Sequence, residues 1–180
     1  GSVDPVRDKE VIDTELQLKD LETIENRISK VAKQAQTGGD KAAKKMYEVL
    51  VKYKAALDQG KSARTVTFDN PEDIKIAKEL MLLTSKPVMY VCNVDENSAK
   101  DGNEYVERVR EAVKDENAEI LVIAAKIESE IAELESFEER KMFLEEIGLE
   151  KSGVERLIRS AYSLLNLETF FTAGPMEVKA

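Results

Sequence analysis

Two short polar segments follow apolar runs near the middle of the chain, and their residue types suit contacts to a flat heterocyclic base. The run 87–92 is followed by Asn93, Val94, Asp95 and Glu96, and the run 120–123 by Ala124, Ala125 and Lys126. Parallel strands of an α/β sheet bind ligands at their carboxyl ends, which share one edge. We therefore expect these segments to be adjacent loops that hold one ring.

No phosphate-binding loop accompanies these residues. Loops of the pattern G-x-x-x-x-G-K-[ST] cradle phosphates with backbone N–H groups, and the pattern is absent from the 180 residues. We therefore expect this chain to recognise a base without hydrolysing a nucleotide, and we assign it no catalytic residue.

The composition excludes several other kinds of site. The chain has no His and a single Cys, Cys92. This excludes Ser-His-Asp and Cys-His catalysis, zinc sites that contain His, and an internal disulfide, and we predict no metal site. Cys92 lies in an apolar run and is interpreted as a small buried side chain. No apolar stretch nears the roughly 20 residues of a membrane span, and no export signal opens the chain, so we expect a cytoplasmic protein without a membrane partner.

Heptad-like spacing near the amino terminus predicts an antiparallel coiled-coil arm over residues 21–64. The first helix is expected from Pro5, with Asp4 as N-cap, to about residue 36, and the second over 41–59 after a glycine turn at 38–39. An arm of this kind projects about 30 Å. The seams are Leu21, Ile24, Ile28, Val31 and Ala35, and Ala42, Met46, Leu50, Tyr53 and Leu57.

The rest of the chain reads as alternating strands and helices. Strands are expected at 87–92 and 119–123, an extended piece at 65–68, and a last strand from 167 towards a turn at 174–175. Helices are expected after the caps Asn70 (to about 83), Ser136 (ended by Gly148) and Ser152 (to about 166), and from about residue 103 to 114. This order predicts an α/β fold that is mainly helical, with a two-stranded, partial P-loop-type parallel sheet.

Both strands are continuous apolar runs, which is typical of strands buried on both faces. Two strands do not form an independent sheet, so we expect further strands in a larger protein. Uncovered apolar faces promote association, so a second expectation is self-association or else a local rearrangement around residues 87–123. Gly1 and Ser2 resemble an expression scar and are left out of this reasoning.

The arm is basic although the chain is acidic. The net charge is −9, but residues 27–64 contain ten basic and three acidic residues. Clustered cations favour an anionic partner such as RNA, because binding releases counterions from phosphates. The alternative is a charged face that only keeps the hairpin soluble. The lysines expected to contact nucleic acid are Lys30, Lys33, Lys41, Lys44, Lys45 and Lys52.

Several collinear segments resemble the YchF family of Obg-like ATPases. They are the lead-in helix 4–22, the segments 86–96 and 124–134, and the segment 162–178 with its Phe170-Phe171-Thr172-Ala173-Gly174-Pro175 core. The resemblance spans nearly the whole chain. It implies a P-loop nucleotide-binding domain, a helical arm inserted into it, and a C-terminal TGS domain.

The resemblance also implies an extent for each part. Residues 3–20 and 65–150 would be the C-terminal part of the nucleotide-binding domain, 21–64 the arm, 151–167 a connecting helix, and 168–180 the start of the TGS domain. The ligand would be ATP, with Mg²⁺ held by residues that have no counterpart here. The arm would bind RNA in a ribosomal setting.

Base contacts are implied for six residues. P-loop GTP-binding proteins carry Asn-Lys-x-Asp after the equivalent strand, where the Asp accepts two hydrogen bonds from guanine. Val94 and Glu96 replace the Lys and the Asp, so we expect adenine to be favoured. Ala124 stands where many relatives have Ser, which removes a hydroxyl contact. The residues are Asn93, Val94, Glu96, Ala124, Ala125 and Lys126.

Two other functions remain open at this point. The arm could act alone as an RNA-binding or ribosome-binding module, or the chain could be a protein-interaction scaffold without a nucleotide. Salt-dependent binding to RNA separates these two alternatives, since only the first requires phosphate contacts.

Overall fold

The computed structural model describes residues 2–36, 40–116, 118–173 and 178–179, which are mainly helical with two short sheets. The chain divides into two units, residues 1–86 and 87–180. The predicted glycine turn at 38–39 and the turn at 174–175 lie outside the described residues.

The first unit is built on a helical hairpin. Helices α1 (Pro5–Gln36) and α2 (Lys41–Leu57) pack along the predicted seams, with Ile24 and Leu50 fully buried. Asp40 caps α2, because its side chain accepts hydrogen bonds from the N–H groups of Ala42 and Ala43. The prediction was wrong at Ala42, which is exposed, because Ala43 is the residue that continues the three-four spacing and is buried.

Helix α3 (Pro71–Leu80) closes the other side of this core. Asn70 caps it through the N–H of Glu72, as predicted. The helix ends earlier than expected, because Met81 adopts a left-handed conformation with φ of 52°. A 3-10 turn follows at Leu83–Ser85, and Leu80 and Leu82 insert into the core of the hairpin. Another 3-10 turn, Ala63–Thr65, overlaps the expected extended piece only at Thr65, and the next residue, Val66, has an extended backbone.

The second unit contains the predicted strand-helix-strand order. Strand β1 (Met89–Asn93) pairs in parallel with β2 (Glu119–Ile123), from Met89 beside Glu119 to Asn93 beside Ile123. Between them runs α4 (Glu104–Val113), which is capped by Asn103. The buried residues Val106, Val109 and Val113 recur every three or four positions, so one face of α4 is in the core.

Three further helices follow β2, and the first was not predicted. Helix α5 (Ala125–Glu133) begins within the segment expected to be a loop, while α6 (Phe137–Glu146) and α7 (Gly153–Leu164) start at the predicted caps Ser136 and Ser152. The long final strand is also corrected. Among the described residues from 167 to 173, the strand is Thr172–Ala173 (β3), which pairs antiparallel with Val178–Lys179 (β4).

Burial in the parallel sheet is uneven. Leu121 and Val122 of β2 are buried as predicted, whereas Val91 of β1 is 46% exposed, because no described element covers that face. Cys92 is half-buried, and this burial raises the pKa of its thiol. Among the described helices, none is both long and apolar enough to cross a membrane.

Candidate functional site

The segments that follow β1 and β2 lie beside each other, as expected. The N–H of Val94 donates to the carbonyl of Ile123 at 2.8 Å, which extends the parallel ladder by one step. The side-chain oxygen of Asn93 accepts a hydrogen bond from the N–H of Ala125 at 3.0 Å. The exposed Asn93 side chain therefore ties the end of one strand to the helix that follows the other.

An ion pair between exposed side chains also joins the same two segments. The ammonium of Lys126 pairs with the carboxylate of Glu96, and both side chains are exposed. This hydrogen bond, and then the charge of Glu96, raises the pKa of Lys126. The neighbouring acid, Asp95, accepts from the N–H and hydroxyl of Ser98 at 3.0 and 3.1 Å, and so stabilises a 3-10 turn. Of the two acids, Glu96 is the one directed to the second segment.

Val94 and Ala124 contribute packing here. Both belong to an apolar cluster with Ala99, Ile127 and Ile131, on which residues of α6 also pack. The expected position of Val94 was beside a bound ring, but its half-buried side chain lies in this cluster. It therefore holds the first segment against α5.

Ala124 is the N-cap of α5 and offers no side-chain hydrogen bond. The first N–H groups of a helix have no partner within it, and here Asn93 satisfies only that of Ala125. The N–H groups of the next residues, Lys126 and Ile127, thus receive no side-chain cap from Ala124. This helix start can donate to acceptor atoms on a ring edge, and the side-chain N–H₂ of Asn93 can donate beside it.

A support behind the second segment was not predicted. The carboxylate of Glu128, in the first turn of α5, accepts from the N–H groups of Gly153 and Val154 at 2.6 and 3.1 Å and so caps α7. Arg156 of α7 donates to the carbonyl of Val122 in β2 at 2.6 Å. A Glu at this position looks like any exposed helical acid, so the only local signal was the Ser-x-x-Glu box at Ser152.

The predicted nucleic-acid residues lie in the first unit. Lys30, Lys33, Lys41, Lys44 and Lys52 are exposed. Lys45 is half-buried, with its ammonium 3.2 Å from a carboxylate oxygen of Asp73. The ammonium of Lys52 lies 5.2 Å from the ring centroid of Phe68, a cation–π distance. The six lysines therefore differ in how much of their charge is directed to solvent.

Comparison with known proteins gives strong matches to relatives, while no protein-family model matches the chain. "Ribosome-binding ATPase YchF" of Bacillus subtilis is 52% identical over 182 residues, with 100% of this chain and 49% of the relative covered. The protein of the same name from Escherichia coli O157:H7 is 44% identical, with 48% of it covered. "Obg-like ATPase 1" of Rattus norvegicus is 39% identical, with 46% of it covered.

A solved structure, that of the Schizosaccharomyces pombe YchF GTPase, superposes on 99% of this chain with a TM-score of 0.87 and 27% identity. The match covers 48% of that protein, so the chain spans about half the length of the relatives that it matches. The similarity to each relative extends from one end of this chain to the other, and its helices and parallel strand pair have the same fold. The chain is therefore homologous over its whole length to YchF ribosome-binding ATPases, and it spans about half of their length.

Proposed function

We propose that this chain carries the base-binding part of an adenine-nucleotide site in a YchF-type ATPase. The observation that supports the proposal is the pair of bonds between the two segments, from Asn93 to Ala125 and from Glu96 to Lys126. Together they hold the helix start beside the Asn93 amide, and both groups can donate to a purine edge. The ligand would be ATP, with Mg²⁺ bound elsewhere in the longer protein.

The proposed preference for adenine follows from the pairing of the Glu96 carboxylate with Lys126. Guanine presents two adjacent donors, N1–H and the exocyclic amine, to an acceptor carboxylate. In this chain the carboxylate of Glu96 is already paired with Lys126, and Asp95 is engaged by Ser98. A guanine base would have to displace one of these partners, whereas adenine has no paired donors on that edge. Hydrolysis is not expected of this chain alone, because its sequence has no phosphate-binding loop.

The first prediction concerns Asn93. The substitution Asn93→Ala removes the link to Ala125 and the free amide donors, so we expect affinity for ATP to fall about tenfold, the equivalent of one hydrogen bond of about 1.4 kcal/mol. Affinity is measured by titrating ATP and GTP into the isotopically labelled chain and following amide NMR shifts. Asn97→Ala is the matched control, because Asn97 is exposed in the adjacent 3-10 turn.

Two outcomes would contradict this proposal. Tighter binding of GTP than of ATP by the unchanged chain would disprove the preference for adenine. Equal losses of affinity in the Asn93 and Asn97 variants would show that the bond between the two segments does not support the base.

A second proposed function is binding of RNA by the basic hairpin, and the relatives named ribosome-binding make ribosomal RNA the suggested partner. The distribution of charge favours it. Lys54 pairs with Glu25 and Asp58, and Lys45 with Asp73. No such pair is formed by Arg27, Lys30, Lys41 or Lys44 with the described acids, and all four side chains are exposed.

The second prediction tests this surface. Changing Lys30, Lys41 and Lys44 to Glu should weaken RNA binding about tenfold or more and lower the slope of log affinity against log salt by roughly two to three. Fluorescence anisotropy with a labelled ribosomal RNA fragment at several salt concentrations measures both. The control variant changes three other exposed lysines to Glu. They lie outside the two helices of the hairpin and are Lys75, Lys78 and Lys86.

Equal losses of RNA affinity in both triple variants would mean that only net charge matters, and the hairpin would then be a soluble spacer.

We further propose that the chain resides in the cytoplasm, where ribosomes act, and that the exposed face of β1 at Val91 favours self-association.

A further inference from the structure

A solvent-filled groove of about 930 Å³ lies between α5, α6 and α7 in the second unit. It is lined on different sides by Ile131 of α5, Leu144 of α6 and Val154 of α7. None of the predicted base-contacting residues lines it, so its role is separate from the proposed nucleotide site.

The floor and walls of the groove are apolar. Ile131 is buried, while Leu144 and Leu149 are half-buried members of the cluster that also holds Val94. The walls are formed by Phe137, which is 75% exposed, and Val154, which is 53% exposed. Large apolar side chains at this exposure, grouped around one depression, are typical of binding surfaces.

The rim of the groove is acidic. The charged residues that line it are four acids, Glu128, Glu145, Glu150 and Glu155, and two bases, Arg140 and Lys141. Lys126 is paired with Glu96, and Arg140 donates to the carbonyl of Leu134 at 2.7 Å. Lys141 lies 3.8 Å from Glu145. Glu145 is thus shared with Lys141, whereas the exposed carboxylate of Glu150 lines the opening without an ion pair to a described cation.

We propose that this groove binds an amphipathic helix of a partner protein, whose apolar face enters the groove and whose Lys or Arg residues flank that face. A helix about 10 Å wide occupies roughly 420 Å³ per turn. The groove therefore matches about two enclosed turns, which bring two or three apolar anchors at i, i+3 and i+4 spacing. The carboxylates at the rim would face the flanking cations of the helix and fix its register.

Charge argues against two other occupants. A nucleic acid would place phosphates against the rim carboxylates, which is unfavourable. A second copy of this chain would present an acidic unit, since residues 87–180 contain 21 acidic and 11 basic residues. Its basic helix α2 is not available for insertion, because the apolar side chains Val49, Leu50 and Tyr53 are buried in its own hairpin.

The third prediction uses a labelled peptide of Leu and Lys as the probe, with Leu at helical spacing and about 15 residues in length so that it folds. We expect binding in the micromolar range, at least about tenfold tighter than for a scrambled peptide or one with Glu in place of Lys. The double variant Phe137→Ser, Glu150→Lys should lose about tenfold in affinity. Amide shifts on binding should map to Ile131, Leu144 and Leu149.

The matched control is Met142→Ser, Glu146→Lys. Met142 is 69% exposed on the same helix, Glu146 is exposed, and neither lines the groove. We expect its affinity to stay within about twofold of the unchanged chain. Equal losses in both double variants, equal binding of the scrambled peptide, or shifts confined to the face of β1 at Val91 would each overturn the proposal. Circular dichroism excludes unfolding, and light scattering that shows the peptide dissociating a dimer would assign the groove to a second copy.

Discussion

The substitution Asp20→Ala is expected to destabilise the first unit by about 3 kcal/mol, because it removes a buried acceptor from three donors. Asp20 is only 2% exposed. Its carboxylate accepts hydrogen bonds of 2.7 Å each from the N–H of Leu83 and from the N–H and hydroxyl of Thr84. Alanine would leave these donors without a partner, and a buried unpaired donor costs about 1–3 kcal/mol.

The substitution Asp20→Ala should also weaken the neighbouring contacts of Thr84. The hydroxyl oxygen of Thr84 also accepts from the N–H of Ala63 at 2.8 Å, and Arg64 donates to the carbonyl of Thr84 at 3.2 Å. Asp20 thus orients one side of a junction between α1 and two 3-10 turns. Urea unfolding followed by circular dichroism measures the loss in free energy. Hydrogen exchange at the amides of Leu83 and Thr84 should show where it acts.

Two further variants make the test specific. Glu22→Ala, on the exposed side of the same helix, removes only a surface pair with Lys19 and should change stability by less than about 0.5 kcal/mol. Asp20→Asn keeps the shape but replaces one acceptor oxygen by donors that face other donors, so we expect a loss close to that of Asp20→Ala. If Asp20→Asn left the free energy of unfolding unchanged, the shape of the side chain, not its hydrogen bonding, would be what stabilises this site.

The sequence predicted those elements whose signals are local. Helix starts are an example, since a capping side chain lies within three residues of the N–H groups that it satisfies. Each of these predicted caps accepts a hydrogen bond from the first turn of its helix: Asn70, Ser136 and Ser152. The parallel pairing of β1 and β2 was equally accessible, because two apolar runs enclosed an amphipathic helix.

Features that depend on distant partners were missed for a physical reason. The N-cap of α5 is Ala124, which has no capping side chain, and the bond to the first helical residue, Ala125, comes from Asn93, 32 positions earlier. Asp20 looks like one more polar residue of a charged helix, yet its partners lie 63 and 64 positions away. The adjacency of the two segments proposed to contact a base was predictable, but the pairing of Glu96 with Lys126 depends on this long-range geometry.

Gly153→Ala is expected to destabilise the second unit by about 2–3 kcal/mol, because there is no room for a methyl group at this helix start. A Cβ at Gly153 would lie 2.8 Å from the Glu128 carboxylate and 2.8 Å from the side chain of Ile123. The clash would displace the carboxylate that caps α7 and push on the last residue of β2, next to the proposed base contacts. The sign of the change in stability separates a steric clash from helix propensity, since Gly→Ala in a helix otherwise stabilises by up to about 1 kcal/mol.

A double-mutant cycle identifies the cause. Glu128→Ala alone removes the cap of α7 and should cost about 1 kcal/mol, whereas Glu130→Ala, on an exposed position of the same helix, should cost less than about 0.5 kcal/mol. With Glu128 absent, one of the two clashes at Gly153 disappears, so the double variant should lose less stability than the two single losses together. Additive losses in urea unfolding would mean that Gly153 and Glu128 act independently. The interpretation of α7 as the support of the segment 124–126 would then be wrong.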